Sequence, residues 1–338
     1  TPQEIEELIQ IMRNLVSEGK SIILITHKLQ EIKDVADRCT IIRRGKLIDV
    51  IDVATTSKNE MAAKMVGRPV EFKVQKAPSQ PGKVVLDIQN LKVIGSKKVP
   101  AVNDFSLQVH KGEIVGIAGV DGNGQSELVH ALSGLMPIAE GTVLLSGKDI
   151  TKTSIRERNE SGMGLVPEDR QKHGLVMQYT IAENMIIKSY YKVPFQKHGF
   201  LHKNKMFAFA GDITEQFDVR SGEGVHSAAR NLSGGNQQKA ILGREIALDP
   251  ELLIAVQPTR GLDVGAIEAI HKELVKHRDR GRAVLLISFE LDEIFNLSDR
   301  IAVMHRGALT GIVRPEETTV EEVGLMMAGD KHKHGGQQ

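Results

Sequence analysis

Apolar positions along the chain alternate between two rhythms. Ile5, Leu8, Ile9, Met12, Leu15 and Val16 recur every three or four residues, the stripe of an amphipathic helix. A turn at Gly19 follows, then the short apolar run Ile22 to Ile25, which has the length of a buried strand. A short helix and a second strand ending at Arg44-Gly45 complete the pattern. The same succession returns near the other end of the chain, without a gap, when residues 5–67 are set against 267–329. Ile5-Glu6 falls on Ile267-Glu268, Gly19 on Gly281, Leu24-Ile25 on Leu286-Ile287, and Asp37-Arg38 on Asp299-Arg300. Arg44-Gly45 falls on Arg306-Gly307, and Met65 and Gly67 on Met327 and Gly329. A match at one fixed offset marks a repeated unit.

The repeat changes the domain count. A length of 338 residues is a prior for about two domains. The offset predicts instead one whole domain over 84–330, preceded over 1–67 by the last part of another copy. Residues 68–83, with Pro69, Pro78, Pro81 and Gly82, read as a linker, and the polar residues 331–338 as a disordered tail.

Within the whole domain, a short apolar strand ending at Ala118 runs into Gly119-Val120-Asp121-Gly122-Asn123-Gly124-Gln125-Ser126, and a helical pattern follows. Strand, glycine-rich turn and helix form a cradle in which backbone N–H groups curl round phosphate oxygens at the positive end of the helix. A phosphate loop of this kind carries Lys before its Ser; here the position is Gln125, so the cradle persists without its ammonium. Taken alone, the turn is also compatible with a dinucleotide site.

Further along stand Asn231-Leu232-Ser233-Gly234-Gly235-Asn236-Gln237-Gln238-Lys239, an apolar run into Val256-Gln257-Pro258-Thr259, then Arg260-Gly261-Leu262-Asp263, and a strand leading to Ser288-Phe289. This order resembles the ATP-binding cassette family: phosphate loop, LSGG signature, Walker B strand, D-loop and switch. The resemblance implies an α/β P-loop fold, a mixed-sheet core with a helical subdomain at about 180–245, and ATP with Mg²⁺ as ligands. It implies phosphate contacts from Gly119, Asp121, Gly122, Asn123, Gly124, Gln125 and Ser126, with Ser126 a weak Mg²⁺ ligand. Glu168 stands where the family has Gln, Val256 and Gln257 where it has Asp and Glu, and Phe289 where it has the switch His. Valine offers no oxygen to a metal, and a Gln amide takes no proton from water. A site built on this loop is therefore expected to hold ATP without hydrolysing it, and this chain by itself is expected to be inactive.

By the same offset His27 is the counterpart of Phe289, the family's switch histidine in the other copy, while Asp263 falls opposite Thr1. Cassettes pair head to tail, so the resemblance gives Ser233, Gly234, Gly235 and Asp263 a role, with His27, in a competent second site. LSGGNQQK and PTRGLDVGA resemble tandem ATPase subunits of bacterial ribose/galactose-type importers. Val256-Gln257-Pro258-Thr259 and Val166-Pro167-Glu168-Asp169-Arg170 look more like the nucleoside branch. The implied partners are integral-membrane permease subunits and an extracytoplasmic substrate-binding lipoprotein, at the cytoplasmic face of the membrane. Alternatives are a non-catalytic nucleotide-binding regulatory module and a soluble, non-transport cassette protein. Tyr190, Tyr191, Phe195 and Phe200, among several lysines, are either permease contacts or the subdomain's own core.

Charge and composition add exclusions. Lys+Arg 44 against Asp+Glu 43 gives no basic surplus for nucleic acid. Cys39 is the single cysteine, which rules out an intrachain disulfide framework. The apolar runs fall well short of the ~20 residues that cross a bilayer.

Overall fold

The computed structural model describes residues 2–26, 28–43, 45–71 and 73–330. Its elements are α1 (Pro2–Ser17), α2 (Leu29–Val35), β1 (Arg38–Arg43), β2 (Lys46–Asp52) and α3 (Lys58–Val66), then β3 (Val84–Ile94), β4 (Pro100–His110), β5 (Ile114–Ala118) and α4 (Gln125–Ser133). There follow β6 (Glu140–Leu145), β7 (Lys148–Asp149), α5 (Ile155–Glu160), β8 (Met163–Val166), α6 (Ile181–Ile186), β9 (Gln196–Lys197), β10 (Phe200–Leu201), α7 (Lys203–Gln216) and α8 (Gly234–Ala247). The last are β11 (Leu252–Val256), α9 (Val264–Asp279), β12 (Ala283–Ile287), α10 (Leu291–Leu297), β13 (Arg300–His305), β14 (Ala308–Val313) and α11 (Val320–Ala328). None of the described helices is long and apolar enough to cross a membrane.

Two compact units divide the described residues, those within 1–73 with 261–269, and those within 74–260 with 270–330. In the first, β1 and β2 form an antiparallel hairpin over a small core of Leu29, Ile32, Ile41, Ile51, Val53, Met61, Ala62 and Val264. The repeat is geometric as well as sequential. The α1 to α3 elements match α9 to α11 at the same offset, and the bulge between Ile41 and Ile42 matches that between Val303 and Met304. Gly67 and Gly329 end α3 and α11 in the left-handed conformation that glycine adopts at least cost.

One part of the pattern is corrected. Residues 22–25 form no strand, and Ile23 and Ile25 are 92% and 95% exposed. The counterpart β12 is hydrogen-bonded to β11 on one side and β5 on the other, whereas among the described residues no strand pairs with 22–25. An extended segment without ladder partners leaves its N–H and C=O groups to water. α1 forms as a helix, with Leu8, Leu15 and Val16 of its apolar stripe exposed.

The second unit holds a six-stranded sheet in the order β14-β13-β5-β12-β11-β8, parallel except for the β13–β14 hairpin. Its central strands β5, β11 and β12 are buried along their whole length, which is why they read as unbroken apolar runs. A second, antiparallel sheet has the order β4-β3-β6-β7. One core, including Phe105, Leu128, Leu132, Ile254, Leu285 and Met304, joins both sheets and α4. Residues 74–82 have no regular structure but are tied to this unit. Lys76 Nζ donates to Leu297 O and Ser298 O, Ser79 Oγ to Gly112 O, and Arg278 Nη2 to Ala77 O.

Candidate functional site

Parallel strands bring their carboxyl ends to one edge, and ligands of open α/β sheets gather there. Along that edge the order β5, β12, β11, β8 sets side by side the loop Gly119 to Ser126, then Phe289, Gln257 and Glu168. Strand order therefore assembles one sheet edge from residues up to 170 positions apart.

The loop is held from behind. A Cβ on Gly124 would stand 2.2 Å from Ala101 O, and one on Gly307 2.3 Å from the same oxygen, so β4, the loop and the β13–β14 turn close on one another. Asn123 Oδ1 accepts from Arg306 N at 2.9 Å, and Asn123 O from Gly307 N at 2.9 Å. Gly122 is left-handed, with open space where a Cβ would point, and Asp121 is exposed. α4 has Gly124 as its N-cap, so no side chain caps its first turn, although α5, α6 and α11 each have a full capping box. An uncapped first turn leaves N–H groups facing the loop, the arrangement that accepts an anion. The far end of α4 is fixed by Arg158, 3% exposed, which donates to Ala131 O at 2.5 Å and Leu132 O at 2.7 Å.

Gln125 is buried, and its Nε2 donates back to Val120 O at 3.2 Å. A Cβ on Gly119 would lie 2.2 Å from that nitrogen, so the amide fills the inside of the loop. Ser126 is half-buried on the next position.

At the end of β11, Val256 and Gln257 are 5% and 6% exposed. Gln257 takes a left-handed φ of 48°, costly for a side chain of its size, and its Nε2 is buried without a partner. Phe289 is half-buried after β12, and Glu168 after β8 pairs with Arg260 (Nη1 to Oε1, 2.5 Å). As a Mg²⁺ site the donor set fits poorly: Ser126 offers a hydroxyl and Gln257 an amide oxygen, Val256 offers nothing, and the Glu168 carboxylate is engaged by a guanidinium.

Ser233 is exposed and caps α8, with Gly234 and Gly235 in the first turn; Asn236 Nδ2 donates to its Oγ at 3.0 Å. Arg170 lies against this turn, its Nη2 2.8 Å from where a Gly234 Cβ would be, while its Nη1 donates to Arg260 O at 2.9 Å. Signature turn and Glu168 loop are thus joined through two arginines whose roles the motif reading overlooked. Two arginines flanking a lone Glu on different loops were the available signal. In the first unit, Asp263 Oδ1 accepts from Ala266 N at 2.9 Å and opens α9. His27, Thr1 and the tail 331–338 lie outside the described residues. The aromatic stretch divides: Phe195 is 7% exposed and meets Phe209 edge-on at 5.0 Å, whereas Tyr190 and Phe200 are 45% and 79% exposed.

A family model described as ABC transporter matches residues 102–260. The Lactococcus lactis protein described as nucleoside import ATP-binding protein NupA is 56% identical over 97% of this chain and 65% of its own length. The Bacillus subtilis guanosine import ATP-binding protein NupO is 55% identical over 99% of this chain and 66% of its own length. The chain thus spans just under two thirds of both relatives. A solved nucleotide-free ATP-binding cassette from an ABC transporter superposes with a TM-score of 0.60 at 23% identity, over 73% of this chain and 96% of that one.

Proposed function

Since this chain belongs to the ATP-binding cassette family of transporter ATPases, we propose that it is the part of an importer ATPase subunit that holds ATP at a non-hydrolysing site and lends its signature to a hydrolysing one. The observation that carries the reading is the chemistry of the sheet edge. The phosphate loop keeps its cradle, but Gln125, Val256, Gln257 and Phe289 stand where positive charge, metal ligation and proton transfer would be needed. An uncharged amide still donates to a phosphate oxygen, so binding survives where bond breaking does not.

Residues 2–67 are proposed to belong to a second cassette, because their three helices and their hairpin repeat those of 264–329 at one offset, with β12 alone lacking a counterpart. Ser233, Gly234, Gly235 and Asp263 would then meet a nucleotide held by the phosphate loop of a partner cassette, with His27 as the switch residue of that cassette. ATP binding closes the pair, and hydrolysis at the competent site reopens it and moves a permease between its two states. In this scheme the protein sits at the cytoplasmic face of the membrane, attached through permease subunits and served by a substrate-binding lipoprotein. A nucleoside cargo is favoured over a sugar because the two relatives are described as nucleoside and guanosine import proteins.

The direct test measures ATP binding and phosphate release on the purified chain. Binding without release is expected, and release at the rate of a two-cassette importer ATPase would overturn the proposal. In such a two-cassette protein carrying this sequence, Ser233→Arg should abolish turnover if the signature acts across the pair.

A further inference from the structure

Behind the sheet edge, two side chains converge on one carboxylate oxygen, that of Glu293. Thr259 Oγ1 donates to Glu293 Oε1 at 2.8 Å, and His271 Nε2 lies 2.8 Å from the same oxygen. Thr259, His271 and Glu293 are 8%, 6% and 5% exposed, and Glu293 Oε2 is buried with no partner. A buried carboxylate bonded through one oxygen only is an expensive choice for a position that merely fills space. Each partner comes from a different element. Thr259 follows β11 and the strained Gln257, His271 sits on α9, and Glu293 is four residues past Phe289 on α10.

The bonds continue beyond the cluster. Arg260, next to Thr259, pairs with Glu168 and accepts at its carbonyl from Arg170, and Arg170 rests on the turn that opens α8. From α10 to the Ser233-Gly234 turn there is thus an unbroken path of hydrogen bonds and close contact along the chain segment 259–260.

We propose that Glu293 is a positioning residue: with His271 and Thr259 it holds residues 257–260 in place, and through Arg260 it sets Glu168 and Arg170 against the signature turn. Its consequence for nucleotide binding rests on the function proposed above, whereas its consequence for the fold of these loops does not. The shared carboxylate oxygen ties the loop, through Thr259, to α9 and α10 at once, so its removal frees the whole path rather than one side chain.

The test is amide hydrogen exchange on the ligand-free chain. The reporters are His173 and Leu175, which donate to Asp169 O and Arg170 O, and Gln237, which donates to Ser233 O. Glu293→Leu should speed their exchange at least about tenfold and leave the β3–β4–β6 amides unchanged, while Glu293→Gln, which keeps an acceptor oxygen, stays within about threefold of the parent. Should Glu293→Leu fail to fold, Thr259→Val removes one arm only and should give about a threefold acceleration at the same amides. Unchanged exchange at His173, Leu175 and Gln237, or equal acceleration there and in the β3–β4–β6 sheet, would overturn the proposal. Titration with a fluorescent ATP analogue separates the two readings: an unmodified chain that does not bind it defeats the nucleotide reading, and the exchange data still decide the positioning role.

Discussion

Gln125 Nε2 reaches back 3.2 Å to the carbonyl of Val120 and occupies the interior of the loop from which its own helix starts. The side chain is thus already turned toward the place where a phosphate would lie, and it brings a dipole there instead of a charge. Gln125→Lys restores a cation within a few ångströms of that place. ATP should bind roughly tenfold more tightly, a gain discounted for solvent from the ~4 kcal/mol of a bare pair near the surface. Phosphate release should remain absent, because Val256 still offers no oxygen. A fluorescence titration decides it, and weaker binding by the variant would mean that the loop is no phosphate cradle.

The glycines of the loop are unequal. At Gly124 a methyl group would collide with Ala101 O, and φ is +102°, so Gly124→Ala should cost about 2–4 kcal/mol of stability. At Gly122 there is open space and only the positive φ opposes a side chain, so Gly122→Ala should cost about 1–2 kcal/mol. Urea denaturation of both variants checks the order.

Burial pushes the pKa of His277 down to about 4, with Asp249 pulling the other way and Arg282 and Arg280 adding to the drop. The ring is 1% exposed and its Nε2 has no partner. Because the unfolded chain takes up this proton near pH 6.5 and the folded chain near 4, stability is full above 6.5. It falls as the pH drops between those values, by up to about 3 kcal/mol. His277→Leu should flatten that part of the stability–pH curve, measured by denaturant midpoints from pH 4.5 to 7. An unchanged slope would show that other groups carry it.

Glu245 on α8 is fully buried between Lys188 Nζ at 2.7 Å and Arg244 at 3.0 Å, and it accepts from Leu165 N on β8 at 3.1 Å. Removing the carboxylate strands two cations, one of them buried. Glu245→Ala should therefore destabilise by about 3–5 kcal/mol, and Glu245→Gln by less, since it keeps an acceptor for Leu165 N. Thermal unfolding of the two variants separates loss of charge from loss of the bond.

Much of the cassette was legible in the order of residues. Glycines at left-handed turns, a buried apolar strand before a glycine loop and a Ser that caps a helix are local devices, and their spacing places them on elements without a tertiary fold. The 262-residue offset was equally legible, because it compares the chain with itself, and it recurs in the matching bounds of α1–α3 and α9–α11. Sequence reasoning failed at Ile22–Ile25, because a strand is made by its neighbours and an apolar run only permits it. Only the tertiary structure decided that Gln125 turns inward, that Arg260 takes the Glu168 carboxylate, and that Thr259, His271 and Glu293 share one oxygen. Glu168 and Arg260 are 92 residues apart in the chain. Pairings at that distance are set by strand order and packing, which no periodicity along the sequence records.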